Sequence, residues 1–396
     1  MFNYILVTGA YWGFTLTDGA LRMLVLLHFY SLGYSPFTIA LLFLLYEFFG
    51  VVTNLLGGWI GQHYGLRLTL TTGLLLQVVA LVGLAQVSDG WSEVVSVSFV
   101  MAMQALSGIA KDLTKMSSKS AVKLLVREGD EAGLFKWVAL LTGSKNTLKG
   151  VGFFLGGVLL NTLGFAHSLY AMAAALALIL VGIKLSLKQE LGSTSSKVKF
   201  SQLFSRSREI NLLSAARVFL FGARDIWFVV GLPVYLSAVM GWSETEIGSF
   251  MAAWVIFYGI VQGSAPRFIR QRISQAPQGH TARFWVQVLV IITAILTISV
   301  NTPHGDWILL IGLAVFGGVF AINSSVHSYL VLAYTKKEHV AVNVGFYYMA
   351  NAVGRLLGTL LSGLSYQWNG IEGCLGLSAV FLFIAWIFSR KLSNLA

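Results

Sequence analysis

Apolar residues recur along the chain in about twelve runs of roughly 18 to 29 residues, separated by short polar stretches. The runs fall near residues 4–30, 37–62, 68–87, 93–117, 136–160, 167–187, 210–238, 245–265, 284–301, 306–334, 341–366 and 371–389. Each is long enough to cross a hydrocarbon layer of ~30 Å as a helix. The pattern predicts an all-α membrane protein with twelve transmembrane helices. Residues 188–209, rich in Ser, Lys and Arg, divide the runs six and six. They predict an N-terminal six-helix bundle over 1–187, a cytoplasmic linker over 188–209 and a C-terminal bundle over 210–396.

The halves carry echoes of each other, as expected of two pseudo-symmetric bundles. Leu32 to Ser35 reads LGYS and Met240 to Ser243 reads MGWS, each after the first helix of its half. Gly143, Gly152 and Gly156 in the fifth run recur with the same spacing as Gly345, Gly354 and Gly358 in the eleventh. Glycines four apart let helix backbones approach closely, so these six mark either tight packing or a moving interface. Repeated halves around a central site are the architecture of alternating-access carriers.

Composition agrees with this reading: 56% of the 396 residues are hydrophobic and 11% are charged. No soluble domain has such a balance. Nineteen of the 27 Lys and Arg residues lie in alternate connections and the C-terminal tail, while the other six connections hold only acids, among them Asp89, Glu244, Glu246, Asp306 and Glu372. The positive-inside rule then puts both termini in the cytoplasm of a bacterial inner-membrane, multi-pass protein. The net charge of +11 is thereby explained by topology, and no nucleic-acid partner is expected. The start MFNY has no basic n-region or cleavage site, so the first run is expected to remain as a helix. A single cysteine, Cys374, excludes a disulfide framework or a thiolate metal cluster, and no metal or other cofactor is expected.

Eight cations remain inside the spans: Arg22, Lys111, Lys115, Lys145, Lys149, Arg217, Arg224 and Arg355. Each costs roughly 2.5–3.5 kcal/mol near a helix centre on insertion scales. Four acids share the zone, Asp18, Glu47, Asp112 and Asp225, leaving a formal excess of four positive charges. An anionic substrate would complete that balance. Asp18 and Arg22 are one turn apart in the first run, and Arg224 and Asp225 lie mid-way along the seventh. An anion held between the two halves would meet one arginine from each, and the planar guanidinium fork suits phosphate or arsenate oxygens. Lys111, Lys115, Lys119 and Lys123 follow one helix face toward the cytoplasm, the last two serving topology or lipid headgroups.

Lys145 and Lys149 sit too deep to snorkel. Arg217, near its helix start, is expected to reach the interface. The four acids are either protonation sites or ion-pair partners. His28 and His327 are expected to be hydrogen-bonded packing residues. Asn323, Asn343 and Asn351 are either cavity donors or interhelical hydrogen-bonding residues. Trp91, Trp242, Trp307 and Trp368 fall at outer ends, as in an interfacial aromatic belt.

Between the second and third runs, Gly58 to Arg67 reads GWIGQHYGLR. This resembles the cytoplasmic loop motif of the major facilitator superfamily, keeping Gly58, Gly61, Tyr64, Gly65 and Arg67 but with Gln62 where the family usually has Asp. Gly143, Gly152 and Gly156 resemble the glycine motif of superfamily antiporters, with Gly157 in place of its proline. Gln104 stands where many proton-coupled members carry Arg. Longer strings resemble one subfamily: Tyr11 to Arg22 (YWGFTLTDGALR), Leu44 to Gly50 (LLYEFFG), Gly108 to Lys119 (GIAKDLTKMSSK) and Leu134 to Trp137 (LFKW). These are similar to the ArsJ-type organoarsenical efflux permeases.

That resemblance implies export of 1-arseno-3-phosphoglycerate, formed when glyceraldehyde-3-phosphate dehydrogenase uses arsenate in place of phosphate, with the dehydrogenase as functional partner. It implies arsenate resistance. An organophosphate/phosphate antiporter would use the same cations. A membrane-embedded transferase is a different class, against which stand the lack of a nucleophile elbow, a nucleotide loop and a metal-spaced cluster in the sequence.

Overall fold

The computed structural model describes residues 2–88, 90–123, 131–187, 207–272, 279–334 and 340–393; within them, side chains are described except at 2–4, 55, 57–66, 116, 119–123, 131–143, 266–272, 332, 340–342 and 344. All described regular structure is helical: α1 (Phe2–Ser31), α2 (Pro36–Leu42), α3 (Leu44–Leu84), α4 (Glu93–Lys123), α5 (Glu131–Ser186), α6 (Arg208–Ile226), a π-helical turn at Trp227–Gly231, α7 (Leu232–Ala238), α8 (Glu244–Arg272), α9 (Gly279–Ser299), α10 (Gly305–Ala333) and α11 (Val340–Arg390).

Three of these helices hold two spans each. In α5 the backbone breaks at Gly164 (φ 73°), and the Ser168 hydroxyl donates to the Leu159 carbonyl at 2.9 Å. A straight helix would hold residues nine apart about 13 Å from each other, so the chain doubles back there. In α11 the break is at Asn369 and Gly370, where Ser365 Oγ reaches Cys374 Sγ at 3.3 Å. In α3, Thr53 bonds Asp112 and Thr69 bonds Ser117, while Gly73 packs on Ala110 and Thr114. Both arms therefore lie on α4, and the chain reverses between Asn54 and Thr69. With these reversals the twelve apolar runs are twelve helices.

The helices pack into two compact units. The first comprises Met1–Leu32, Leu45–Val198 and Ser243–Ile256; the second comprises Gly33–Leu44, Lys199–Trp242 and Phe257–Ala396. Each unit thus contains one segment from the other half of the sequence, and both segments begin within the LGYS/MGWS echo. In both copies the glycine has a left-handed backbone, Gly33 at φ 87° and Gly241 at φ 69°, which ends the preceding helix without the Cβ penalty. The serine then caps the next helix: Ser35 Oγ accepts from the Thr38 amide at 3.1 Å, and Ser243 exchanges capping-box bonds with Glu246.

The repeated glycines hold α1 on α5 in the first unit and α6 on α11 in the second. A Cβ on Gly152 would lie 2.5 Å from the Leu16 carbonyl, and one on Gly156 would lie 2.6 Å from that of Ala20. Gly354 packs on the Val218 carbonyl, and a Cβ on Gly358 would lie 2.7 Å from that of Gly222. Four of the six glycines are therefore close-packing positions. Gly345 meets nothing within 4 Å among the described residues, and Gly143 lies outside the described side chains, as do Gly58 and Gly65 of the loop motif.

Gly152→Val or Gly354→Val is expected to lower the apparent melting temperature in detergent by roughly 4–10 °C, since backbone rather than a side-chain tip blocks the added methyls. Gly345→Ala should leave it unchanged or slightly raised; fluorescence-detected thermal unfolding checks both.

Candidate functional site

The close packing of α1 on α5 brings the first unit's charges together. Gly19 lies directly against the Lys149 carbonyl, which sets Lys149 beside the turn of α1 that carries Asp18 and Arg22. Arg22 Nη2 bonds Glu47 Oε1 at 2.7 Å, with side-chain exposures of 9% and 1%. Asp18, one turn from Arg22, accepts instead from the Tyr46 hydroxyl at 2.6 Å. Adjacent residues of α3, Tyr46 and Glu47, thus engage the two charges of α1. The Tyr46 ring also carries cations, with Lys111 Nζ 3.9 Å and Arg22 Cζ 5.6 Å from its centroid.

Next to Lys111 on α4, fully buried Asp112 accepts from Thr53 Oγ1 at 2.5 Å and pairs with Lys115 Nζ at 3.1 Å. Lys115 also donates to Asn54 Oδ1 at 2.6 Å. Lys149 Nζ lies 5.5 Å from the Phe153 ring. Lys145 is half-buried on the same helix, while the side chains of Lys119 and Lys123 lie outside the described residues. Gln104, where the superfamily often has Arg, is buried, and its Nε2 meets no acceptor among the described residues.

In the second unit, α6 and α11 supply the site. Arg224 chelates Asp225, with Nε and Nη2 at 2.7 and 2.5 Å from the same oxygen, and Arg355 Nε lies 3.6 Å from the other oxygen. Two arginines therefore share one buried carboxylate. Gly358 makes this geometry accessible, because a Cβ there would lie 2.7 Å from Asp225 Cβ. The π-helical turn follows immediately, and the amides of Val230 and Gly231 both donate to Ser362 Oγ. π-turns recur at functional sites, where the extra residue redirects side chains.

Arg217 departs from expectation. It does not reach an interface: it is buried, with Nε bonded to Asn351 Oδ1 at 3.0 Å and Nη1 to Ser324 Oγ at 3.1 Å. Acceptors on α10 and α11 hold the guanidinium inside the unit, which spacing from the helix end does not reveal. His327 departs too, because it is buried with neither ring nitrogen hydrogen-bonded among the described residues. His28 stacks on Phe165, ring centroids 4.0 Å apart. Trp307 and Trp368 are 69% and 75% exposed at helix ends, as in an aromatic belt.

A sequence model of the Major Facilitator Superfamily matches residues 5–298 and 280–394. The chain belongs to the major facilitator superfamily. It is accordingly a multi-pass membrane protein and a secondary transporter, a class that in general is not enzymatic. The crystal structure of a mutant of the nucleoside transporter NupG superposes with a TM-score of 0.72, each chain covered over 98% of its length, at 15% sequence identity. At that identity the likeness concerns the fold alone. No curated protein sequence matches.

All four intramembrane acids of this superfamily member are engaged: Asp18 by a tyrosine, and the other three by cations. Removing one partner of a buried pair strands the other at a cost of about 3–5 kcal/mol. Arg22→Met alone is therefore expected to destabilise the protein in detergent, and the double variant Arg22→Met/Glu47→Gln to recover most of that stability without recovering transport. Thermal unfolding of the two variants checks this.

Proposed function

We propose that this superfamily member exports a multiply anionic organoarsenical, 1-arseno-3-phosphoglycerate, across a bacterial inner membrane by alternating access. The observation that supports the reading is the charge balance within the spans. Eight cations share that zone with four acids, and each of the four acids is already taken up by a tyrosine or a cation of its own unit. The formal excess of four positive charges matches a cargo with an arsenate group at one end and a phosphate at the other. Arginine and lysine donors suit such oxygens through charge-assisted bonds.

The strings similar to ArsJ-type permeases contain the same groups: Asp18 and Arg22 in YWGFTLTDGALR, Tyr46 and Glu47 in LLYEFFG, and Lys111, Asp112 and Lys115 in GIAKDLTKMSSK. Arg22, Lys111, Lys115, Lys145, Lys149, Arg224 and Arg355 are the proposed substrate-binding residues. Glu47, Asp112 and Asp225 hold Arg22, Lys115, Arg224 and Arg355 in place, and Asp18 holds Tyr46. With both termini in the cytoplasm, efflux of an anion runs down the electrical gradient by ~2.3 kcal/mol per charge per 100 mV. A uniport needs no further driving ion. Outside the cell, water would cleave the acyl arsenate to arsenate and 3-phosphoglycerate, which makes export effectively one-way.

The test is arsenate tolerance and arsenic retention in an arsenate-sensitive bacterium that expresses the chain with and without a glyceraldehyde-3-phosphate dehydrogenase. Tolerance with lowered retention is expected only when both are present, and Lys145→Ala is expected to abolish it at normal membrane levels. Exchange of phosphoglycerate for external phosphate, with no arsenate phenotype, would assign the same cations to an organophosphate/phosphate antiporter.

A further inference from the structure

Of the three arginines inside the spans of the second unit, Arg217 has no carboxylate partner among the described residues. Its Nε and Nη1 go to the neutral acceptors Asn351 and Ser324, and among the described residues no carboxylate and no acceptor falls to Nη2. The guanidinium carbon lies 3.8 Å from the Phe221 ring centroid and 5.0 Å from that of Tyr347. The aromatic faces and neutral oxygens fix the plane of the fork without neutralising its charge. A buried, unneutralised guanidinium is costly unless an anion meets it for part of the cycle.

Arg217 is also aligned with the arginine pair already described. It precedes Arg224 by seven residues, close to two full helical turns, so both side chains leave one face of α6. Both guanidinia lie on the same ring: Arg224 Cζ is 4.8 Å from the Phe221 centroid. Their carbons are therefore no farther apart than 3.8 and 4.8 Å combined. On α11, Asn351 and Arg355 repeat the register one turn apart, Asn351 hydrogen-bonded to Arg217 and Arg355 ion-paired with Asp225 at 3.6 Å. Three arginines with one carboxylate thus line a short strip, the carboxylate at one end of it.

We propose that this strip is a two-ended anion site within the second unit, in which Arg217 receives one anionic group of a short bis-anion and Arg224 with Arg355 receives the other. Phe221 is the spacer that sets the separation of the two groups. The proposal rests on the reading of the chain as a carrier of an anion charged at both ends, and it assigns to Arg217 the selection of two-ended over one-ended anions.

The test uses the purified full-length protein and two stable probes, 1,3-propanediphosphonate and methylphosphonate, in calorimetric titrations. Wild-type protein should bind the diphosphonate at least about tenfold tighter than the monophosphonate. Arg217→Gln, which keeps hydrogen-bonding capacity toward Asn351 and Ser324, should bring the diphosphonate down to the monophosphonate level and leave the latter unchanged; Arg217→Lys should restore part of the preference. A variant that keeps the wild-type ratio, or that loses both ligands equally together with thermal stability, would show Arg217 to be a tie between α6, α10 and α11 and overturn the proposal. Binding of neither probe by the wild type would overturn the anion-carrier reading itself, and this one with it.

Discussion

A guanidinium or ammonium group inside a hydrocarbon layer must be met by something, and most of what is distinctive in this chain follows from how that requirement is satisfied. Arg22 is met by Glu47, Lys115 by Asp112 and Asn54, and Arg224 and Arg355 together by Asp225. Aromatic faces contribute as well: Tyr46 beneath Lys111, Phe153 near Lys149, and Phe221 beside both Arg217 and Arg224. Rings of this kind stabilise a desolvated cation without cancelling its charge. The spans therefore hold their cations in place and still carry a formal positive excess.

Backbone geometry makes that arrangement available. Glycines let α1 lie against α5 and α6 against α11 at distances no side chain would tolerate, and the charged residues ride on those same turns. Lys149 faces Gly19, and Asp225 faces Gly358. Small residues drive close helix association in membranes because lipid offers no hydrophobic gain for bringing helices together. The same solution occurs twice, 202 residues apart, in Gly152/Gly156 and Gly354/Gly358.

The twelve spans and the repeat were legible in the sequence because length, hydropathy and glycine spacing are local properties that the bilayer reads directly. The LGYS/MGWS echo was visible, and its reason became clear only from the left-handed glycine and the capping serine that follows it. Pairing was less legible. Asp18 and Arg22 are one turn apart and look like partners, yet each is engaged by its own residue of α3. Arg217 looked like a snorkelling residue because sequence distance from a helix end says nothing about acceptors on α10 and α11. The LGYS/MGWS echo marks where Gly33–Leu44 and Ser243–Ile256 begin, but nothing local says that the first groups with the second unit and the other with the first.

The central claim is that the excess charge serves an anionic cargo formed from arsenate. The most direct measurement is chain-dependent accumulation of phosphorus label in everted membrane vesicles, with glyceraldehyde-3-phosphate dehydrogenase, its nicotinamide cofactor and labelled glyceraldehyde 3-phosphate outside. The account predicts accumulation of label and arsenic together when arsenate is supplied, and little of either when phosphate replaces it. Equal accumulation with phosphate, or none that depends on the chain, would contradict it.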